Sequence, residues 1–322
     1  MASAVIYLIR VVVAATKYFA AILPLLAFAQ LCSMQIAGAA PSTTKTDAKV
    51  APAGAKMTAS QGNAPLDRLE FLLRSGQVSQ AKSLLAKTPA TALNEDGRHM
   101  WLGACLAAEQ SFEEAVVELD KVSDLSGAGC QVLKHSAAAY FQTAAYEKAI
   151  KLSTLQIARC DDFDTYRTLA GCYLATRQYA KAAETFSRAA QKRPARAPEA
   201  YVQAASAMLV ANRPAEALAY CEKAPLADHG AAAITPLIVK ASCLEKLNRW
   251  QEAVTVLNGA MTRVKSAKGV GPEMAETMIR GCLGDRAKCY DQLGKPLAAA
   301  ADRAQLKRMS EAIEDDLVGR GR

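Results

Sequence analysis

The sequence predicts an all-α protein folded as a solenoid of about seven helix–turn–helix repeats, and two observations carry this prediction. First, the chain of 322 residues is 51% hydrophobic but only 6% aromatic, a balance typical of helices that pack closely through small side chains. Second, an Ala recurs at intervals of 34, 34, 33, 35, 36 and 46 residues, and such intervals are typical of solenoids. These marker alanines are Ala81, Ala115, Ala149, Ala182, Ala217, Ala253 and Ala299.

Each marker alanine is preceded, three positions earlier, by a residue expected to close the turn between the two helices of its repeat. These residues are Val78, Phe112, Tyr146, Tyr179, Pro214, Trp250 and Pro296. Two short antiparallel helices cannot bury their apolar faces alone, and neighbouring pairs therefore stack into one core. Small residues at the crossing let the two helices of a pair approach closely. The repeats are predicted over residues 66–318, followed by a flexible tail at 319–322.

The last interval is longer than the others, and its surplus falls in residues 261–276. This segment contains Gly269, Gly271 and Pro272, which predicts an irregular insertion or lengthened helices between two repeats. It lacks the further glycine or Gly-Lys-Ser/Thr run of a phosphate-binding loop.

The N-terminal part of the chain is distinct from the repeats. Arg10 and Lys17 precede an uncharged run with an apolar core, and a small-residue triplet ends at Ala39. This pattern predicts a signal peptide over residues 1–39; the alternative is an uncleaved anchor that tethers the chain to a membrane through residues 4–36. Residues 40–65, rich in Ala, Pro, Thr and Lys, predict a disordered linker. We therefore expect an exported protein, periplasmic or secreted, or membrane-anchored at its N-terminus.

One stretch of the chain closely resembles the tetratricopeptide repeat. In YRTLAGCYLATRQYAKAAETFSRAAQKRP the first helix of the family pattern matches Tyr166, Leu169, Ala170 and Tyr173. Its second helix and the following turn match Tyr179, Ala182, Phe186, Ala189 and Pro194. Only Ala170 departs, standing where the family usually has Gly. The resemblance implies a right-handed α-solenoid.

The resemblance also implies a concave groove, lined by the first helices, that holds a peptide or helix of a partner protein. Carried onto this chain, the groove positions are Trp101, Lys134, His135, Phe141, Arg167, Gln203, Leu209, Val239 and Glu245. Family members that grip a C-terminal carboxylate use Lys, Arg and Asn at fixed groove positions. Small residues such as Ala104, Ala138 and Gly171 occupy those positions here, so we expect no such grip.

Six of the nine cysteines fall into two groups. Cys105, Cys172, Cys243 and Cys289 share one position of the repeat and are expected to be buried fillers, too far apart to pair. Cys130 and Cys160 lie at the start of one helix and the end of its antiparallel partner, where a disulfide is feasible; the alternative is a pair of thiols. Cys221 with Cys243 is a weaker second candidate.

Few residues are of the types that catalysis or metal binding requires. The three histidines are scattered, and the sequence contains no H-E-x-x-H, C-x-x-C, G-x-S-x-G or Walker motif. We therefore expect no enzyme activity, no metal, no cofactor and no identifiable small-molecule substrate. The net charge is +8, but aromatic residues are not interleaved with the basic ones, so nucleic-acid binding is not expected.

These observations leave three functional hypotheses. The leading one is a non-catalytic scaffold or adaptor that acts after export and binds a partner polypeptide in its groove. The first alternative is an enzyme or solute-binding protein with a site in the 261–276 segment. The second is an electrostatic binder of an anionic envelope polymer, because residues 177–213 and 240–268 are rich in Lys and Arg.

Overall fold

The computed structural model describes residues 64–225, 230–267 and 269–320. The predicted signal peptide, and the predicted linker up to residue 63, lie outside the described residues. So do residues 321–322 of the predicted tail, while residues 319–320 continue the last helix.

The described residues fold as fourteen α-helices in seven antiparallel pairs. The helices are α1 (Ala64–Arg74), α2 (Val78–Lys87), α3 (Glu95–Ala108), α4 (Phe112–Leu119), α5 (Cys130–Gln142), α6 (Tyr146–Cys160), α7 (Phe163–Ala175), α8 (Tyr179–Lys192), α9 (Ala197–Val210), α10 (Pro214–Lys223), α11 (Thr235–Lys246), α12 (Trp250–Ser266), α13 (Pro272–Gln292) and α14 (Pro296–Arg320). Odd-numbered helices are the first helices of their pairs. Short 3-10 turns, Pro194–Arg196 and Ala231–Ala233, precede α9 and α11.

The predicted repeat frame is confirmed. All seven second helices begin at the turn-closing residue identified in the sequence, and all seven marker alanines are 0% exposed. Each marker lies in the first turns of a second helix, where it packs against the first helix. The solenoid is therefore built on close crossings at small residues, as the spacing predicted.

The turn inside each pair has one backbone design. Its central residue takes a left-handed conformation, and the next N–H donates back to a carbonyl of the first helix. In the third pair, Ala144 has φ +61° and the Ala145 N–H donates to the Tyr140 carbonyl at 2.8 Å. This is the Schellman arrangement, which satisfies carbonyls at a helix end. The equivalent residues are Gly76, Gln110, Arg177, Asn212, Asn248 and Gly294.

The long last interval comes from lengthened helices. Residues 261–266 complete α12, and residues 272–276 begin the 21-residue α13. Among the described residues between these two helices, Gly269 has φ +85°. Gly residues suit this position because they tolerate positive φ.

Candidate binding groove

Most first helices lie against the first helix of the next pair and present a common face. We call the surface formed by α5, α7, α9, α11 and α13 the groove face. Within the described residues, contacts join α5 to α7, α9 to α11, and α11 to α13. Side chains from three or more repeats can therefore reach the same bound segment.

A row of alternating charges crosses α5, α7 and α9 on this face. Asp164 lies 3.9 Å from Lys134, 3.9 Å from Arg167 and 3.6 Å from Arg196. Glu199 in turn lies 3.9 Å from Arg167 and 2.8 Å from Arg196. We call these five residues the ionic row. It holds three cations and two carboxylates, so it carries one net positive charge.

The helix ends explain why the carboxylates sit there. Asp164 and Glu199 both lie in the first turn of their helices, α7 and α9, where the helix dipole favours negative charge. Asp162 caps α7 by accepting from the Asp164 and Thr165 N–H groups. The Arg196 guanidinium lies 4.4 Å from the centre of the Phe163 ring, and such stacking restrains the arginine.

Arg167 is the most enclosed member of the ionic row, with 18% of its side chain exposed. Its contacts with Asp164 and Glu199 are both 3.9 Å long, which is beyond hydrogen-bonding distance. Its guanidinium is held between two carboxylates but keeps N–H groups that a ligand could use. An arginine in this setting is a residue type that often dominates protein interfaces.

Two further predicted groove residues lie on α5, the helix that carries Lys134. Phe141 packs on the backbone of Gly171: a Cβ on that glycine would lie 3.1 Å from the ring. The ring also meets Tyr146 edge-on at 5.9 Å between centroids. His135 is mostly enclosed, and burial, followed by the nearby Lys134 charge, lowers its pKa to about 4. His135 is therefore neutral at physiological pH.

The remaining predicted groove residues lie on α9 and α11 and are partly buried: Gln203, Leu209, Val239 and Glu245. The Gln203 Oε1 and one Glu245 carboxylate oxygen are buried without a hydrogen-bond partner among the described residues. Burial, and then the charge of Asp285, raise the pKa of Glu245 to about 7. Sequence analysis missed Asp285 and Lys288 as neighbours of Glu245, because the long last interval hides the register of α13.

Trp101 was predicted to line the groove, but the structure places it in the core. Only 4% of its surface is exposed, and it belongs to the core of the first three pairs with Leu69 and Leu133. A carboxylate of Glu70 on α1 accepts the Gln131 backbone N–H at 2.8 Å, so α1 reaches the start of α5. At the N-terminal end of the repeats, α1 therefore packs against α5. Trp101 is a core residue and not a groove residue.

The structure joins Cys130 and Cys160 in a disulfide, with their Cα atoms 6.1 Å apart. The bond ties the start of α5 to the end of α6. Arg159, next to Cys160, donates to the Ala128 carbonyl at 2.6 Å and holds the loop before α5. The other six cysteines among the described residues are buried thiols, and Cys221 is a hydrogen-bonded neighbour of Cys243.

The first of the two basic stretches noted in the sequence is partly neutralised. Within residues 177–213, Arg188 pairs with Glu184, Lys192 with Asp161, and Arg196 with Glu199. Arg213 also pairs with a glutamate, Glu216, at 2.5 Å. Local pairing weakens the field that a cationic surface would need to attract an anionic polymer.

Within the described residues, no group of three or more His, Cys, Asp or Glu side chains could hold a metal ion. No helix in that part of the chain is long and apolar enough to cross a membrane. The predicted anchor at residues 4–36 lies outside it.

No protein-family model matches the sequence, and neither does any curated protein. Solved structures do match. A TPR repeat-containing protein from Cytophaga hutchinsonii, solved as its C-terminal part, is 11% identical with a TM-score of 0.56, over 76% of this chain and 95% of that one. A tetratricopeptide repeat protein from Parabacteroides merdae is 14% identical with a TM-score of 0.40, over 78% and 95%. MamA is 17% identical with a TM-score of 0.35, over 67% and 97%.

The likeness to the Cytophaga protein agrees with the helix pairs, the marker alanines and the left-handed turns. The chain has the fold of the tetratricopeptide repeat proteins.

Proposed function

We propose that this protein is a non-catalytic scaffold that acts after export and holds a segment of a partner polypeptide against its groove face. The observation that carries the proposal is the ionic row, which joins three successive first helices and remains partly exposed. Long contacts of 3.6 to 3.9 Å, at Asp164 and Arg167, leave charged groups able to bind a partner. Around it, the groove face offers partly buried apolar side chains such as Leu209 and Val239.

Export is part of the proposal and has two supports. The first 39 residues carry the parts of a signal peptide. The Cys130–Cys160 disulfide is a bond that persists in oxidising compartments and is rare in the cytosol. Sequencing the N-terminus of the protein from envelope fractions tests this directly. We expect the mature chain to begin at Ala40, and recovery of the intact protein in the cytosol would contradict export.

The groove is tested by removing its charges without altering its shape. We expect the double variant Lys134→Gln/Arg167→Gln to lose the dominant partner in a crosslinked pull-down from native envelopes, with recovery at least about tenfold lower. Loss of central interface residues commonly costs this much affinity or more. Equal recovery by the double variant and the unaltered protein would exclude the groove face as the binding surface.

The matched control is Arg188→Gln on the second helix α8. Arg188 is exposed and pairs with Glu184 at 2.7 Å, so this variant also removes one paired cation. It should retain the partner. If binding instead depends on total charge, each variant should weaken capture in proportion to the number of cations removed, and added salt should abolish it. That result would favour the anionic-polymer hypothesis.

A further inference from the structure

Two buried thiols meet where the fifth helix pair packs against the sixth. Cys221, near the end of α10, is 6% exposed, and Cys243, in α11, is fully buried. The Cys243 thiol donates a hydrogen bond to the Cys221 sulfur, so the two side chains are in direct contact. Helices that bring two cysteine side chains together in this way meet the main geometric requirement of a disulfide.

Cys221 departs from the repeat pattern at a position that otherwise holds packing residues. It lies four residues after the marker Ala217, and the equivalent buried residues of other pairs are Leu85, Leu119, Ser153, Phe186 and Leu257. Cys243 occupies the filler position that it shares with Cys105, Cys172 and Cys289. Of the four repeats with a filler cysteine, only that of Cys243 follows a repeat with a cysteine four residues after the marker. The repeat frame therefore places two cysteines at one junction.

The acidity of Cys221 also differs from that of the other thiols. The hydrogen bond from Cys243 lowers the pKa of Cys221 against the opposing effects of burial and of Glu222, and the charge of Lys240 on α11 adds to the shift. Burial raises the pKa of the other four thiols among the described residues to about 11 or about 12: Cys105, Cys172, Cys282 and Cys289. Because the thiolate is the form that attacks a disulfide, Cys221 is the thiol best suited to begin an exchange.

We propose that Cys221 and Cys243 form a second disulfide when the protein folds in an oxidising compartment. The structure shows the pair as thiols, which is their state before oxidation. The bond joins α10 to α11 and fixes the junction between the fifth and sixth helix pairs. The inference takes only the exported location from the proposed function and is independent of the groove face.

The oxidant is a disulfide carried by an oxidised protein or small thiol compound of that compartment. The Cys221 thiolate attacks one sulfur of the oxidant, and the other sulfur leaves as a thiolate. The Cys243 thiol then loses its proton and attacks the Cys221 sulfur of this mixed disulfide, which releases the second oxidant sulfur as a thiolate. Two cysteine thiols thus lose two electrons, and one oxidant disulfide becomes two thiols that take up the two protons. Since both sulfurs are enclosed in the folded protein, the exchange precedes the packing of α10 on α11.

Peptide mapping of the protein from envelope fractions tests the inference. Thiols are alkylated before lysis and again after denaturation without reductant, and the protein is then cut with trypsin. The enzyme releases Cys221 within residues 197–223 and Cys243 within residues 241–246, and neither peptide contains another cysteine. We expect mass spectrometry to find these two peptides linked in most molecules, and the link to disappear on reduction.

Alanine variants at two equivalent filler positions provide a matched pair. Ala already occupies this position at Ala139 and Ala207, so both variants suit the fold. Cys243→Ala should leave Cys221 as an alkylated thiol, whereas Cys289→Ala should leave the two peptides linked. If Cys221 of the Cys243→Ala variant is bonded to another cysteine instead, the contact with Cys243 does not select the pairing, and the inference is overturned.

The Cys130–Cys160 disulfide is the internal reference, because it links residues 122–134 to residues 160–167 in the same digest. Alkylated Cys221 and Cys243 in molecules that carry this link would overturn the inference and leave the proposed export standing. If all four cysteines are alkylated, the protein has not folded in an oxidising compartment, and the inference fails together with the export on which it rests.

Discussion

Gly103 provides a sharp test of how the helix pairs are packed. It lies in the interior of α3, facing α4, and a Cβ atom placed on it would lie 2.6 Å from the Leu119 Cγ and 3.1 Å from the Ala115 carbonyl oxygen. Leu119 is fully buried, so its side chain has no free space to move into. The variant Gly103→Ala would therefore force α3 and α4 apart.

The expected size of the effect follows from two opposed contributions. Overpacking of a filled core costs about 1–3 kcal/mol, whereas replacing Gly by Ala inside a helix contributes about 1 kcal/mol of stability. A contact of 2.6 Å puts this overpacking in the upper part of its range, about 2–3 kcal/mol. We therefore expect a net loss of about 1–2 kcal/mol in the free energy of unfolding. Gly259→Ala in α12 is the matched control, because a Cβ there meets nothing within 4 Å; it should stabilise the protein by about 0.5–1 kcal/mol.

Urea denaturation followed by helical circular dichroism measures both variants. Midpoints should be compared first, because solenoids do not always unfold in two states. We expect the midpoints of the two glycine variants to shift in opposite directions. If Gly103→Ala is as stable as the unaltered protein, or if both variants shift in the same direction, close approach at a small residue does not hold the pair together.

Three further predictions concern stability. Replacing Cys130 and Cys160 by Ala should lower the free energy of unfolding by about 2–4 kcal/mol. The reduced unaltered protein should show a urea midpoint no higher than that of this variant, and a midpoint that reductant does not change would contradict the prediction. Ala144→Gly should stabilise by about 0.5–1 kcal/mol, because φ is +61° there; a lower melting temperature would refute this. Glu245→Gln should stabilise by about 1–2 kcal/mol at pH 8, about half of what the full pKa difference corresponds to, because the side chain is partly exposed to screening solvent. At pH 4 it should hardly stabilise at all, and Glu222→Gln should be unchanged across the same urea titrations.

The sign for Glu245 follows from proton linkage. Its pKa rises from the ordinary glutamate value of 4.5 to about 7 in the folded protein, so between these values the folded state holds a proton that the unfolded state has lost. The stability of the unaltered protein therefore falls as pH rises through this window. Glutamine carries no charge at any pH and escapes the cost of burying one. A benefit that is equal at pH 4 and pH 8 would contradict the mechanism.

The fold could be predicted from the sequence because the pattern that determines it is local and repeated. A small residue is needed wherever two helices cross, and this need recurs once per repeat at nearly constant spacing. For the same reason the start of every second helix, and the burial of Cys105 and Cys172, could be predicted. The Cys130–Cys160 pairing was also accessible, since the frame places the ends of α5 and α6 side by side.

Features that depend on contacts between distant repeats could not be predicted from the sequence. Trp101 has the position of a groove residue within its own repeat, but Glu70 brings α1 to the start of α5, and the tryptophan becomes core. Nothing within the second repeat signals that contact. Likewise, Asp285 reaches Glu245 only because α12 and α13 are lengthened, and the sequence pattern gives no register across that change of spacing.

The central claim, that the groove face holds a partner, is tested most directly by photo-crosslinking in the native envelope. A photoreactive amino acid replaces Leu209, on the groove face, or Leu297, which is 87% exposed at the start of α14. We expect one discrete crosslinked product from position 209 and none from position 297. A product from position 297 alone, or the same product from both positions, would show that the partner is not held on the groove face.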